Sequence, residues 1–225
     1  MQFLARTRFA SVLAGLAFVA IQSQALAVIV ISEVHPSGSS NSTYLADWFE
    51  LTNTGAAAVD ITGWKIDDSS NAFATAFALR GVTSILPGQS VVFAEGNAAG
   101  SNDATIQAAF KTAWFGGSIP AGFTIGGYGG SGLGLSSGGD GVNIFDSIGT
   151  PIASVSFSAA TAGVTFDNAA GLAGPISALS AVGVNGAFNS LTGGEIGSPG
   201  VVPEPATLGL LGLGCLAMIR RRRAN

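Results

Sequence analysis

Three acidic side chains, Glu33, Asp47 and Glu50, fall within one short stretch of strand-forming residues. Brought to one end of a sheet, such carboxylates form the kind of pair that does general acid and base work. A second acidic group, Asp67 and Asp68 followed by Ser69, Ser70 and Asn71, offers the hard oxygen ligands that calcium takes, and Gly139-Asp140-Gly141 offers another such loop. Neither has the spacing of an EF-hand loop. The same residue types are common in turns, where they bond the neighbouring backbone. Trp48 and Trp64 either pack inside the fold or present an aromatic face on which a sugar ring stacks.

Other chemistries find no support. His35, beside Pro36, is the only histidine and reads as structural or solvent-exposed. One histidine without His/Cys spacing does not make the usual zinc site, and no nucleophile-elbow motif accompanies it. The glycine clusters lack the GK[ST] of a phosphate-binding loop. Asn41-Ser42-Thr43 matches a glycosylation sequon, a short pattern that carries little weight by itself. Between residues 28 and 200 only Lys65, Arg80 and Lys111 face twelve acidic side chains, a net charge near −9. Nucleic acid and anionic lipid both need basic patches, so neither is expected as a partner.

The residues that position these groups read as strands. Val28 to Val34 is a β-branched run suited to a first strand. Trp48 to Asn53 alternates, with Phe49 and Leu51 on one face and Trp48 and Glu50 on the other. Val59 and Ile61 alternate with Asp60 and Thr62; Gly63 breaks the run and Trp64 and Ile66 resume it. Leu86-Pro87-Gly88-Gln89 has the form of a type II turn feeding a strand over Ser90 to Ala94. Asn102 to Trp114 is the helix candidate, with Asn102 as cap, Asp103 at its positive end and Ile106, Phe110 and Trp114 at i+4 spacing. The stretch from Gly116 to Gly141 holds twelve glycines and reads as a long surface loop with short strands inside it. Val142 to Phe145 and Ala153 to Phe157 form a hairpin around Asp146-Ser147-Ile148-Gly149. Residues 158 to 197 read as one or two further strands with loosely ordered linker. Many short strands and one helix make an all-β sandwich, with Phe49, Leu51, Val59, Ile61, Ile66, Val92, Ile144, Val155 and Phe157 between the sheets.

Both ends read as targeting segments. Arg6 and Arg8, the apolar stretch Phe9 to Ile21, and small residues at Ala25 and Ala27 make a signal peptide over residues 1–27, cut after Ala27 by a signal peptidase. At the other end Pro203-Glu204-Pro205 precedes an uncharged run of 14 residues, Ala206 to Ile219, closed by Arg220, Arg221, Arg222 and Arg223. The run is a marginal transmembrane segment, and its arginine cluster is a stop-transfer signal. Cys215, the only cysteine, lies in this run, so the exported part forms no disulfide of its own.

That tail, Val202 to Asn225, resembles the PEP-CTERM sorting signal of Gram-negative bacteria. The resemblance implies an exosortase that processes the chain near Pro203, Glu204 and Pro205, while the arginines hold it transiently in the inner membrane. Within residues 28–200 another resemblance rests on Ile31-Ser32-Glu33-Val34, on Asp47 to Asn53 and on Val59 to Ile66. These segments, with Leu86-Pro87-Gly88-Gln89, Gly134-Leu135-Ser136, Asp140-Gly141-Val142 and Gly197-Ser198-Pro199-Gly200, are similar to the bacterial lamin-tail domain. The resemblance implies an immunoglobulin-like β-sandwich that serves as a structural or interaction module. The expectation is therefore an exported, non-enzymatic surface or extracellular-matrix protein, structural or adhesive, with exopolysaccharide as the surroundings it would meet. The alternative is a calcium-dependent carbohydrate-binding module using Trp48, Trp64, Asp67, Asp68 and Asp140. A hydrolase would instead need converging acids in a concave pocket. No cofactor is called for other than calcium at the acidic loops.

Overall fold

The computed structural model describes residues 28–129 and 133–201. The signal peptide with Ala25 and Ala27, and the tail with Pro203, Glu204, Pro205 and the four arginines, lie outside the described residues. Strands β1 (Ile29–His35) and β2 (Trp48–Asn53) flank a one-turn helix, α1 (Gly38–Asn41). Short strands follow: β3 (Val59–Asp60), β4 (Lys65–Asp67), β5 (Phe77–Ala78), β6 (Ser84–Ile85) and the longer β7 (Ser90–Glu95). Helix α2 (Asp103–Phe115) precedes β8 (Thr124–Tyr128), β9 (Asp140–Phe145) and β10 (Pro151–Phe157). The last third adds β11 (Phe166–Asp167), β12 (Gly174–Ile176), β13 (Phe188–Asn189) and β14 (Ile196–Gly197).

Two five-stranded sheets carry the fold: the first in the order β11-β1-β2-β7-β8, the second in the order β12-β10-β9-β4-β5. Most neighbours are antiparallel; β7–β8 and β10–β12 are parallel. The inward residues of both sheets share one core, which includes Ile31, Phe49, Leu51, Ile66, Phe93, Ile144, Val155 and Phe157. Phe49 packs on Phe93 and Tyr128, with ring centroids 5.6 and 5.1 Å apart. This is a β-sandwich, and the strand alternation expected for Trp48 to Asn53 holds residue by residue.

The outer face of the first sheet is covered as well. Helix α2 lays Ile106, Phe110, Ala113, Trp114 and Phe115 onto Trp48, Val92, Ala94 and Ile125. Val92 therefore faces the helix and not the space between the sheets, because β7 alternates and Val91 and Phe93 take the inner face. Val59 is only half-buried, at the rim of the inner core. Asn102 stands at the N-cap position without a side-chain cap bond; its carbonyl oxygen is engaged by the Asn97 N–H, 2.8 Å away. The negative end of the dipole interaction is supplied by Asp103, which Arg80 grips with two hydrogen bonds of 2.8 and 2.9 Å. Gly127 of β8 runs under that pair; a Cβ there would lie 2.4 Å from Asp103 Oδ2, so only glycine fits. Gly116 ends the helix at a φ of 59°.

Residues 158–201 are not a loose linker. They form four short strands, and Thr165, Asn168, Ser180 and Ser190 are buried there. Phe166 and Ile176 join the inner core and Phe188 packs against Trp114, while the small polar side chains bond to each other and to the first sheet. The helix interface should be worth most where the ring is largest and fully covered. Phe110→Ala is expected to cost about 3–5 kcal/mol in chemical unfolding, whereas Ile148→Ala, at a site 83 % exposed, should stay within about 0.5 kcal/mol.

A buried carboxylate site on the outer face of the first sheet

The half of the outer face that α2 leaves uncovered is polar. A register shift in β1 between Ile31 and Glu33 puts two residues opposite one on β2. Such a bulge re-aims side chains, and here Ser32 and Glu33 are both buried among the polar groups of this face. Glu33 then stands directly across from Glu50. Thus two of the three acids picked out by spacing do meet, in a place that water does not reach: each is 1 % exposed.

Every oxygen of the pair has a donor. Glu33 Oε1 accepts from the Thr165 hydroxyl at 2.5 Å and from the Ser198 N–H at 2.8 Å, and Oε2 accepts from the Ser198 hydroxyl at 3.1 Å. Glu50 Oε1 accepts from the Ser32 hydroxyl at 2.7 Å, and Oε2 from the Gly200 N–H at 2.5 Å. Thr52 donates to Ser32 at 2.8 Å and lies 2.6 Å from the Ser90 hydroxyl, and Ser90 donates to the carbonyl of Val201 at 3.1 Å. Neither glutamate forms an ion pair among the described residues, whose two close ion pairs are His35–Glu195 and Arg80–Asp103; His35 acts on Glu33 only at longer range. Burial pushes the Glu33 carboxyl up to about 7, against the pull of its donors. Burial first, and the Glu33 charge second, push Glu50 up to about 8.

Beside this pair lies a second buried network. His35, fully buried, packs on Trp48 with ring centroids 5.6 Å apart, and its Nε2 is 3.1 Å from Glu195 Oε1, off the line of a hydrogen bond. Tyr44 donates to that same oxygen at 2.7 Å and accepts from the indole N–H of Trp48 at 3.0 Å and of Trp114 at 3.3 Å. Tyr44 and Glu195 carry no motif and are 151 positions apart, so spacing could not have found them. His35 is structural, one of the two readings open from the sequence.

The other candidate residues are used locally. Asp47 takes the Ser39 N–H at 2.8 Å and is raised by burial. Asp67 accepts from Ser70, Ala72 and Thr75, and Asp68 from the Ser70 N–H. Asp140 accepts from the N–H groups of Ser69, Ser136 and Gly141, which lays the two acidic loops side by side. No group of three or more potential metal-ligating side chains occurs among the described residues. Trp48, fully covered, and Trp64, 8 % exposed, are both core residues. Of the two roles the sequence leaves open for them, their burial fits packing, since a sugar ring has no access to either face.

The raised carboxyls fix the sign of the pH dependence. Their folded values lie above the unfolded one near 4.5, so the folded state holds more protons between pH 4.5 and about 8. Stability must therefore fall as pH rises through that window. Raising pH from 5 to 9 should cost several kcal/mol, or roughly 10 °C or more of melting temperature at this size. Glu33→Gln with Glu50→Gln should flatten most of that slope.

Family models match the chain in two places. The PEP-CTERM protein-sorting motif covers residues 201–223, and the Lamin Tail Domain covers residues 22–159. No curated protein matches the chain. The domain match stops after β10, although the ordered fold continues to Val201 and closes over the glutamate pair. With the Lamin Tail Domain matched over more than half its length and the β-sandwich that accompanies it, the chain belongs to the lamin tail domain family.

Proposed function

We propose that this is a non-enzymatic module of the bacterial surface or extracellular matrix, structural or adhesive in role. It would be exported, sorted by an exosortase through its PEP-CTERM tail, and delivered into an exopolysaccharide layer. The sorting step rests on the motif matched at residues 201–223. The observation that best supports a structural role is where the polar groups go. Glu33 and Glu50, the acid pair that a hydrolase would have to present to substrate, are closed over by the chain's own backbone. The acids of the two exposed loops accept hydrogen bonds from their own turns. On the second sheet, β10 leaves Ser154 and Ser156 exposed together with Pro151 and Ile152.

A carbohydrate-binding reading now lacks its tryptophans. Its remaining element is calcium, and a cation that binds only the folded state raises apparent stability by mass action. Millimolar calcium, compared with chelator, should move the melting temperature by less than about 1 °C. A rise of several degrees would bring that reading back.

Sorting is tested in a bacterium that carries an exosortase. The wild-type chain should appear shortened and outside the inner membrane. Replacing Arg220, Arg221, Arg222 and Arg223 by alanine, or deleting the exosortase, should leave full-length chain in the membrane fraction or misdirect it. Normal shortening and delivery in both cases would contradict the assignment.

A further inference from the structure

The chain just before the sorting motif is held by side chains that lie far away in sequence. The Ser198 N–H and hydroxyl are bonded to Glu33, the Gly200 N–H to Glu50, and the Val201 carbonyl to Ser90. These four bonds hold three of the four positions from Ser198 to Val201. Only Val202 separates the docked segment from Pro203. At about 3.3–3.6 Å per residue, the motif begins within roughly 7 Å of chain that is fixed to the sheet.

Shape confirms the close fit. A Cβ on Gly197 would lie 2.8 Å from Glu33 Oε1, 2.9 Å from Thr165 Cγ2 and 3.0 Å from Trp114 Cη2. Glycine is thus needed for the strap to approach the carboxylate at all. One residue further back, Ile196 and Gly197 pair with β13, and Glu195 is fully buried. Opening at the glutamates would accordingly free residues 198–201 and leave the chain before them anchored.

We propose that Glu33 and Glu50 are positioning residues forming a clasp that docks residues 198–201, and that the clasp must open before the sorting motif is processed. This rests on the exosortase reading of the tail. An enzyme that grips an extended segment takes up its backbone N–H and C=O groups, and with the clasp shut the Ser198 and Gly200 N–H groups and the Val201 carbonyl are already engaged. The folded domain thereby limits access to its own processing site. Groups facing the pair are few: each other, His35 on β1, and the hydroxyls of Ser32, Ser90, Thr165, Ser180 and Ser198. Peeling the strap away rehydrates both carboxyls, so the raised proton affinities of the closed form make opening easier as pH rises.

The test uses the full chain in a bacterium carrying an exosortase, with pulse-labelling to follow conversion of the long form to the short one. Hydrogen exchange at the Ser198 and Gly200 amides is read on the protein recovered from the same cells. Glu33→Ala with Glu50→Ala should speed exchange at those amides at least tenfold and conversion several-fold, while Glu33→Gln with Glu50→Gln stays near wild type. Gly197→Ala disturbs the clasp from the strap side and carries the same expectation if the double alanine variant fails to fold. Amides that open with no gain in conversion overturn the gating, and amides that are unprotected in the wild type overturn the clasp itself. A wild-type chain that is never shortened contradicts the sorting reading and the gating with it, while protected amides in that chain would still establish the clasp.

Discussion

Glu33 and Glu50 stand opposite each other on neighbouring strands, out of reach of water and without a basic partner among the described residues. Removing a carboxylate from water is costly unless hydrogen bonds replace its hydration. The donors here come from β1 itself, from Thr165 and from Ser198 and Gly200, the last three well over a hundred residues downstream. The first sheet therefore cannot be completed by the strands that are nearest in sequence. Until the last third of the chain folds back, two buried acids lack acceptable partners. That requirement explains why residues 158–201, poor in large apolar side chains, are nevertheless ordered against the sheet.

A second network tightens the same connection from the helix side. Glu195 is reached by the Tyr44 hydroxyl, which also accepts from both indoles at the α2 interface. The two networks tie Glu195 through Gly200 to the sheet at both ends, so the helix layer and the strap support each other. The exported part of the chain has no cysteine and few basic residues, so neither disulfides nor surface ion pairs supply much of its stability. Packing of the two cores and these satisfied polar clusters take that role.

Much of the sandwich was legible because it depends on local pattern. Phe49 and Leu51 against Trp48 and Glu50, the turn at Leu86 to Gln89, the helix with Ile106, Phe110 and Trp114, and the hairpin around Asp146 all follow from period and turn chemistry. The acid pair was legible as a cluster but not in its meaning, since burial depends on what comes to lie over a strand. Val92 was assigned to the wrong core because alternation gives two faces without saying that a helix makes the second one apolar. Likewise Trp48 and Trp64 look the same in sequence whether buried or presented. The last third was hardest: its apolar contacts, Phe166, Ile176 and Phe188, are isolated along the chain, and the rest are made by Thr, Ser, Asn and Gly, whose types carry no periodic signal.

The central claim is that Glu33 and Glu50 are desolvated carboxyls held by the returning chain. A carbon-13 NMR titration of the glutamate side-chain carboxyls tests it most directly. Glu33 and Glu50, told apart from Glu95 (also raised by burial) by their glutamine variants, should titrate far above the ordinary value of 4.5, near about 7 and about 8, and lose that displacement in Gly197→Ala. These two titrating near 4.5 in the folded protein would show that water reaches them and that no clasp is formed.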